Sequence, residues 1–198
     1  MFSLVLAACS NNDDSTSNQH NFPSSDMSEY GIDSDHHFYD ITMYEALQLR
    51  DDESFNGILY FGFPVCPWCQ VAIPAIHEAS QETGTDIFYV SRRHDLREGE
   101  WLEWDEEMAW WLDEQIEMRW HDFSVDGGIY RPNIFVPQII HLRDGVVIDE
   151  HEGTFAGHDP IDDELPDLTD EEYATLLETY IRIFSGVHMC DIDDDNCS

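Results

Sequence analysis

Two cysteines at the spacing Cys66-Pro67-Trp68-Cys69 directly follow the apolar run over residues 57–63. They stand one helical turn apart, where a predicted strand gives way to a predicted helix. At a helix start the unpaired backbone N–H groups and the positive end of the dipole favour a thiolate. Cys66 is therefore the expected attacking sulfur. Cys69, three residues on and facing the same side, is placed to resolve a mixed disulfide. The same spacing could supply half of a zinc site, but the other half would need a second paired set of ligands. The nearest pair, Cys190 and Cys197, has six residues between its members and lies in an acidic tail. Dithiol chemistry is the preferred reading, with no metal and no cofactor expected.

The flanking elements follow from periodicity and punctuation. Residues 57–63 read as a buried strand. Pro67 suits the first helical position, where no N–H is needed, and the helix should run to Thr83 before Gly84 stops it. Pro74 should kink that helix. Residues 86–91 form the next strand. Upstream, residues 41–50 carry helical spacing with Asp40 available as a cap. Downstream, residues 101–121 read as an acidic amphipathic helix, and 133–143 with 146–149 as a hairpin across Asp144-Gly145. Residues 170–184 close the domain as a helix, with Thr169 and Glu172 forming a capping box.

This order around a Cys-Pro-Trp-Cys site resembles the thioredoxin superfamily over about residues 38–184. Pro74 lies eight residues after the first cysteine, where that family carries its helix-kinking proline. Val136-Pro137 resembles the family's cis-proline strand start, and Gly153 its glycine after the last strand. The stretch over residues 60–69 is most similar to surface-anchored, bacteriocin-transport-accessory-like thioredoxin lipoproteins of Gram-positive bacteria. The resemblance implies an α/β, thioredoxin-like fold, a central mixed sheet flanked by helices with an enlarged helical connection before the cis-proline strand. It implies a thiol–disulfide oxidoreductase with Cys66 and Cys69 as catalytic pair, and Val136, Pro137, Trp68 and Pro67 against the substrate. The Pro-Trp between the cysteines resembles glutaredoxins more than thioredoxins, which suggests a potential on the order of -200 mV.

Two departures from the family pattern stand out. Six residues before Cys66, where typical thioredoxins hold a buried acid, this chain has Tyr60, so another group or a water must take the proton of Cys69. Residues 92–132 are also much longer than the usual connection. They carry Trp101, Trp104, Met108, Trp111 and Gln115 at helical steps, with Trp110 and Trp120 alongside. Such a stripe packs as core by default; a client-binding surface is the alternative. The ten histidines are scattered, and most are expected at the surface. His77 is about three turns from Cys66 and too far to act as its base.

The length of 198 residues suits one domain. The net charge of -35, from 43 acidic residues against eight arginines and no lysine, repels phosphate backbones and anionic lipid. Nucleic acid is excluded as a partner, and nothing in the sequence explains the missing lysines. Residues 1–9 end in Leu6-Ala7-Ala8-Cys9 and resemble a truncated bacterial lipoprotein signal with its lipobox cysteine. The polar residues 10–36 read as a disordered tether, 37–186 as the thioredoxin-like domain and 187–198 as an acidic tail. In an oxidising compartment Cys190 and Cys197 of the tail are expected to close a structural disulfide. Asp191, Asp193 and Asp195 alternate as in a calcium loop, but the sixth-position glycine and twelfth-position Glu are missing.

The expected setting is extracytoplasmic, with the membrane contacted only through a lipid anchor. The expected partners are exported protein or peptide thiols and disulfides, with a membrane electron-transfer partner as a further candidate. The competing reading is a non-catalytic thioredoxin-fold lipoprotein that binds an exported peptide or assembly partner. If Cys9 carries lipid, Cys9→Ser should move the protein expressed in a bacterial host from the membrane to the soluble fraction. Fractionation unchanged by the substitution would contradict the assignment.

Overall fold

The computed structural model describes residues 21–91, 136–162 and 164–186. The predicted helix over 101–121, Cys9, Cys190 and Cys197 lie outside the described residues. Five strands form one sheet: β1 (Phe38–Ile41), β2 (Asn56–Gly62), β3 (Ile87–Ser91), β4 (Gln138–Arg143) and β5 (Val146–Glu152), in the order β1-β3-β2-β4-β5. β1 and β2 run parallel to β3, β4 is antiparallel to β2, and β5 is antiparallel to β4. Helices α1 (Met43–Asp51), α2 (Pro67–Thr83) and α3 (Asp170–Phe184) complete the described elements. This is the α/β class with a central mixed sheet that the sequence predicts.

The pleat sorts the side chains into two cores. Ile58 and Tyr60 of β2, Ile87 and Tyr89 of β3, Phe38 and Ile139 pack with Ile73 and Ile76 of α2 and with Leu176, Tyr180 and Ile183 of α3. Leu59, Phe61, Phe88, Val90, Ile140 and Leu142 pack on the opposite face with Ala46 and Leu49 of α1. Burial on both faces is why β2 and β3 read as continuous apolar runs rather than as an alternation. The dithiol sits at the end of the central strand β2, on the face that α2 and α3 cover.

Helix boundaries follow their caps. α2 begins on Pro67 and ends at Gly84, whose φ of 65° is the left-handed conformation that glycine reaches without a Cβ penalty. α3 carries the expected reciprocal capping box between Thr169 and Glu172. α1 has the same box between Thr42 and Glu45, so Thr42 and not Asp40 is its cap. The reason is that Asp40 belongs to β1, an element the sequence reading lacked, and its carboxylate accepts from Ser25 Oγ at 2.7 Å. The hairpin turns on Asp144 and Gly145, both at positive φ, as a two-residue turn matched to strand twist requires. At Gly145 a Cβ would also lie 2.5 Å from the Arg50 carbonyl oxygen.

The domain begins earlier than the boundary at residue 37 placed it. Residues from 21 onward, assigned to a disordered tether, pack along the edge of β1. Ser25 N–H donates to Phe38 O at 3.0 Å, and Asp40 N–H donates to Pro23 O at 2.9 Å. Ser24 bridges Tyr39, and a short 3-10 turn, Ser28–Tyr30, follows. Pairing covers an edge strand that would otherwise be open. Met27 and Tyr30 enter the core beside α2, with Met27 only 1% exposed. Polar composition concealed this, because two well-placed apolar side chains are enough to anchor a segment whose backbone is also paired. Met27→Ala should therefore cost about 2–5 kcal/mol, read as a lower midpoint in denaturant unfolding. A midpoint equal to that of the parent would restore the tether reading.

Candidate active site

The site is built by the β2–α2 junction. After Gly62 the chain turns through residues 63–65, and Cys66 N–H donates to Phe63 O at 3.1 Å. Cys66 is the N-cap of α2, in extended conformation, and Pro67 opens the helix. The side chain of Gln70 ties this turn down by donating to Pro64 O at 2.6 Å. Both cysteines are unbridged. Cys66 retains 6% exposure, whereas Cys69 is at 0%.

This difference in depth sets their chemistry. The Cys66 thiol is pulled down to about 6, first by hydrogen bonding with the Cys69 thiol and then by the backbone N–H groups of Cys69 and Trp68; partial burial opposes them. Those N–H groups are the orphan donors of the helix start, and they add to the Cys69 thiol in favouring a thiolate at Cys66. Cys69 is pushed up by its hydrogen bond to Cys66 and by burial, while the Phe63 backbone and the Tyr60 hydroxyl pull the other way. The pair thus divides into an ionised sulfur at the rim and a protonated one beneath it.

The peptide bond between Val136 and Pro137 is cis. Cys66 Sγ lies 3.7 Å from Val136 O, within reach of a donated bond while the thiol is protonated, which places the start of β4 against the dithiol although it lies 70 residues away in sequence. Gly153 N–H donates to Pro137 O at 2.8 Å and joins the same corner to the end of β5. Pro67 is exposed. Trp68 lies half-buried, and its indole Nε1–H donates to His158 O at 3.1 Å.

His158 belongs to a loop the sequence reading did not connect with the site. It is buried rather than at the surface, as is His141. Its Nε2 lies 2.8 Å from Pro166 O and its Nδ1 2.7 Å from Thr154 Oγ1. A carbonyl only accepts, so Nε2 carries the proton and Nδ1 accepts from the threonine hydroxyl. The ring stacks on Phe155 with centroids 4.9 Å apart. The loop that braces Trp68 is therefore itself fixed on three sides. Sequence gave no sign of this, because the bond from Trp68 goes to a backbone carbonyl that any residue would offer.

Beneath Cys69 lies a set of tyrosines. Tyr60 stacks on Tyr89 with ring centroids 5.2 Å apart, and the Tyr30 hydroxyl is 3.4 Å from the hydroxyls of both. Tyr60 occupies the position noted as lacking an acid. Tyr30 and Tyr89 were not singled out, and only their contact through the fold reveals them. Among the described residues no carboxylate is buried, and no three metal-ligating side chains converge.

No protein-family model and no curated protein matches the sequence. Among solved structures the chain is similar to a thioredoxin from Aeropyrum pernix, with 16% identity over 73% of this chain and 85% of that one and a TM-score of 0.36. A likeness so distant assigns no residue a role; the roles considered below rest on the geometry of this chain.

If Cys66 ionises near pH 6, its alkylation rate should rise with pH through a midpoint near that value, because only the thiolate attacks. Removing the principal donor by Cys69→Ala should move the midpoint upward. A rate that keeps climbing to a midpoint near 8 or 9, the range of an ordinary thiol, would contradict the assignment.

Proposed function

We propose that this chain is a thioredoxin-like thiol–disulfide oxidoreductase acting on exported proteins. The observation that carries the reading is the asymmetry of the pair, with an acidic Cys66 at the rim and a buried, protonated Cys69 one turn inside. A structural disulfide needs no such division, whereas sequential exchange does.

In the reducing direction the Cys66 thiolate attacks one sulfur of a substrate disulfide. A Cys66–substrate disulfide forms, and the other substrate sulfur leaves as a thiolate. Cys69 then loses its proton and attacks the Cys66 sulfur. The mixed disulfide breaks, the second substrate sulfur departs, and the Cys66–Cys69 disulfide remains, two electrons having passed to the substrate. The reverse sequence oxidises a substrate dithiol. Pro67 and the backbone of Val136 and Pro137 form the rim that meets the substrate chain beside Cys66. Trp68, held by the His158 carbonyl, acts as a wall of that rim.

The proposed setting is the outer face of a bacterial membrane, with Cys9 as the lipid attachment point and the acidic surface keeping polyanions away. The motif Leu6-Ala7-Ala8-Cys9 supports it. Among the described residues no helix is long and apolar enough to cross a membrane.

Trapping tests the catalytic reading. Cys69→Ser should accumulate mixed disulfides between Cys66 and protein substrates, Cys66→Ser should accumulate none, and neither should catalyse reduction of a protein disulfide. Full catalysis by Cys66→Ser, or an absence of trapped species in Cys69→Ser, would overturn the proposal and favour a module that binds peptides without exchange.

A further inference from the structure

Resolution requires that Cys69, with no exposed surface, lose a proton. Burial in an apolar core opposes the thiolate, and no carboxylate is buried among the described residues to receive the proton or offset the charge. The protic groups around this sulfur are hydroxyls. Tyr60 from β2, Tyr89 from β3, Tyr30 from the N-terminal segment and Tyr180 from α3 share its core cluster, and all four feel its charge. Cys66 is the other ionisable group against it, while Asp40 of β1 acts on Tyr89.

Tyr60 stands apart from the other three. It packs in the same core cluster as Cys69, and of the four hydroxyls it alone pulls the Cys69 thiol down by hydrogen bonding. It is fixed from behind by the Tyr30 hydroxyl at 3.4 Å and lies directly over Gly62, where any Cβ would overlap it. The Tyr30 hydroxyl in turn reaches that of Tyr89 at 3.4 Å. A hydroxyl that must sit over a glycine and beneath a second hydroxyl has a defined position, unlike a ring that merely fills the core.

We propose that Tyr60 is a catalytic residue of the resolving step, its hydroxyl donating to the Cys69 sulfur as that sulfur becomes the attacking thiolate, and that Tyr30 is the positioning residue that holds it. This rests on the exchange reaction proposed above. The proton leaves Cys69 through the Tyr60 and Tyr30 hydroxyls, each oxygen accepting one proton as it gives one up, and passes to solvent. The Cys66–Cys69 bond forms as the bond from Cys66 to the substrate sulfur breaks, and the electron pair leaves with that sulfur. Burial holds the phenols far above their ordinary range, so Tyr60 remains a donor at every working pH.

An aromatic disulfide reagent separates the two steps without needing a natural client. Attack by Cys66 releases one coloured thiolate, and resolution by Cys69 releases a second. In Tyr60→Phe the first release should keep its rate and pH dependence. The second should slow by about 10- to 100-fold, the worth of a hydrogen bond to a charged group, and its pH profile should move up by about 1 to 2 units. Tyr30→Phe should slow the second release by a smaller factor. Gly62→Ala, which crowds the hydroxyl without removing it, should reproduce the slow second release.

A second release at the parent rate and with the parent pH profile in folded Tyr60→Phe would overturn the assignment. So would equal slowing of both releases, which would mark a general structural role. If the wild type exchanges normally with the reagent but reduces no protein disulfide, the proposed function fails and the role of Tyr60 stands. If the wild type releases no second thiolate, the role of Tyr60 falls as well.

Discussion

Everything at this site depends on the donors left open at the start of α2. A helix cannot satisfy its first N–H groups internally, and Cys66 occupies the N-cap of α2, with its sulfur beside them. The Cys69 thiol first, and the N–H groups of Cys69 and Trp68 after it, lower the Cys66 thiol towards its ionised form. Because Pro67 has no N–H and a φ already suited to the helix, the cap adopts its place with little conformational choice. Anchoring is completed from below by the Phe63 carbonyl and from the side by Gln70. The reactive sulfur is thus specified by the Cys69 thiol and the open end of the helix backbone rather than by a neighbouring charge.

That arrangement assigns work to the rest of the fold. The sheet must end where α2 begins, which is why the dithiol lies at the end of β2, the middle strand of the five. β4 must start beside Cys66 so that the Val136 carbonyl faces the sulfur. α3 closes the face over Cys69, and its Tyr173 hydroxyl donates to Glu78 of α2 at 2.6 Å, tying the two covering helices. At its other end α3 is tied to the sheet, where His141 of β4 has its Nδ1 2.7 Å from the Ile183 carbonyl. The N-terminal segment finishes the enclosure by delivering Met27 and Tyr30 to the core.

Much of this was legible in the residues because the signals were local. Pro67 and Gly84 bound α2 at the predicted residues, Thr169 and Glu172 capped α3, and Asp144-Gly145 formed the hairpin turn. What escaped was non-local or short. β1 has only four residues, Phe38 to Ile41, too few to show a period, and Asp40 looked like a cap because its partner Ser25 lay in a stretch read as tether. Tyr30 meets Tyr60 and Tyr89 across 30 and 59 residues, a contact no window of sequence contains. The role of His158 is hidden for a different reason, since it offers Trp68 only its backbone. The absence of an acid at position 60 was visible at once, but what replaces it became visible only when four tyrosines converged on Cys69.

The central claim is that Cys66 and Cys69 form a reversible two-electron couple rather than a fixed bridge. Titrating the oxidised and reduced fractions of the pair against glutathione buffers of defined ratio tests it directly. A stabilised Cys66 thiolate favours the reduced state, so a reversible two-electron transition near -200 mV, above that of a strong reductant, is expected. A pair that stays bridged to below about -300 mV would be a structural disulfide, and the reading of this site as a redox centre would be wrong.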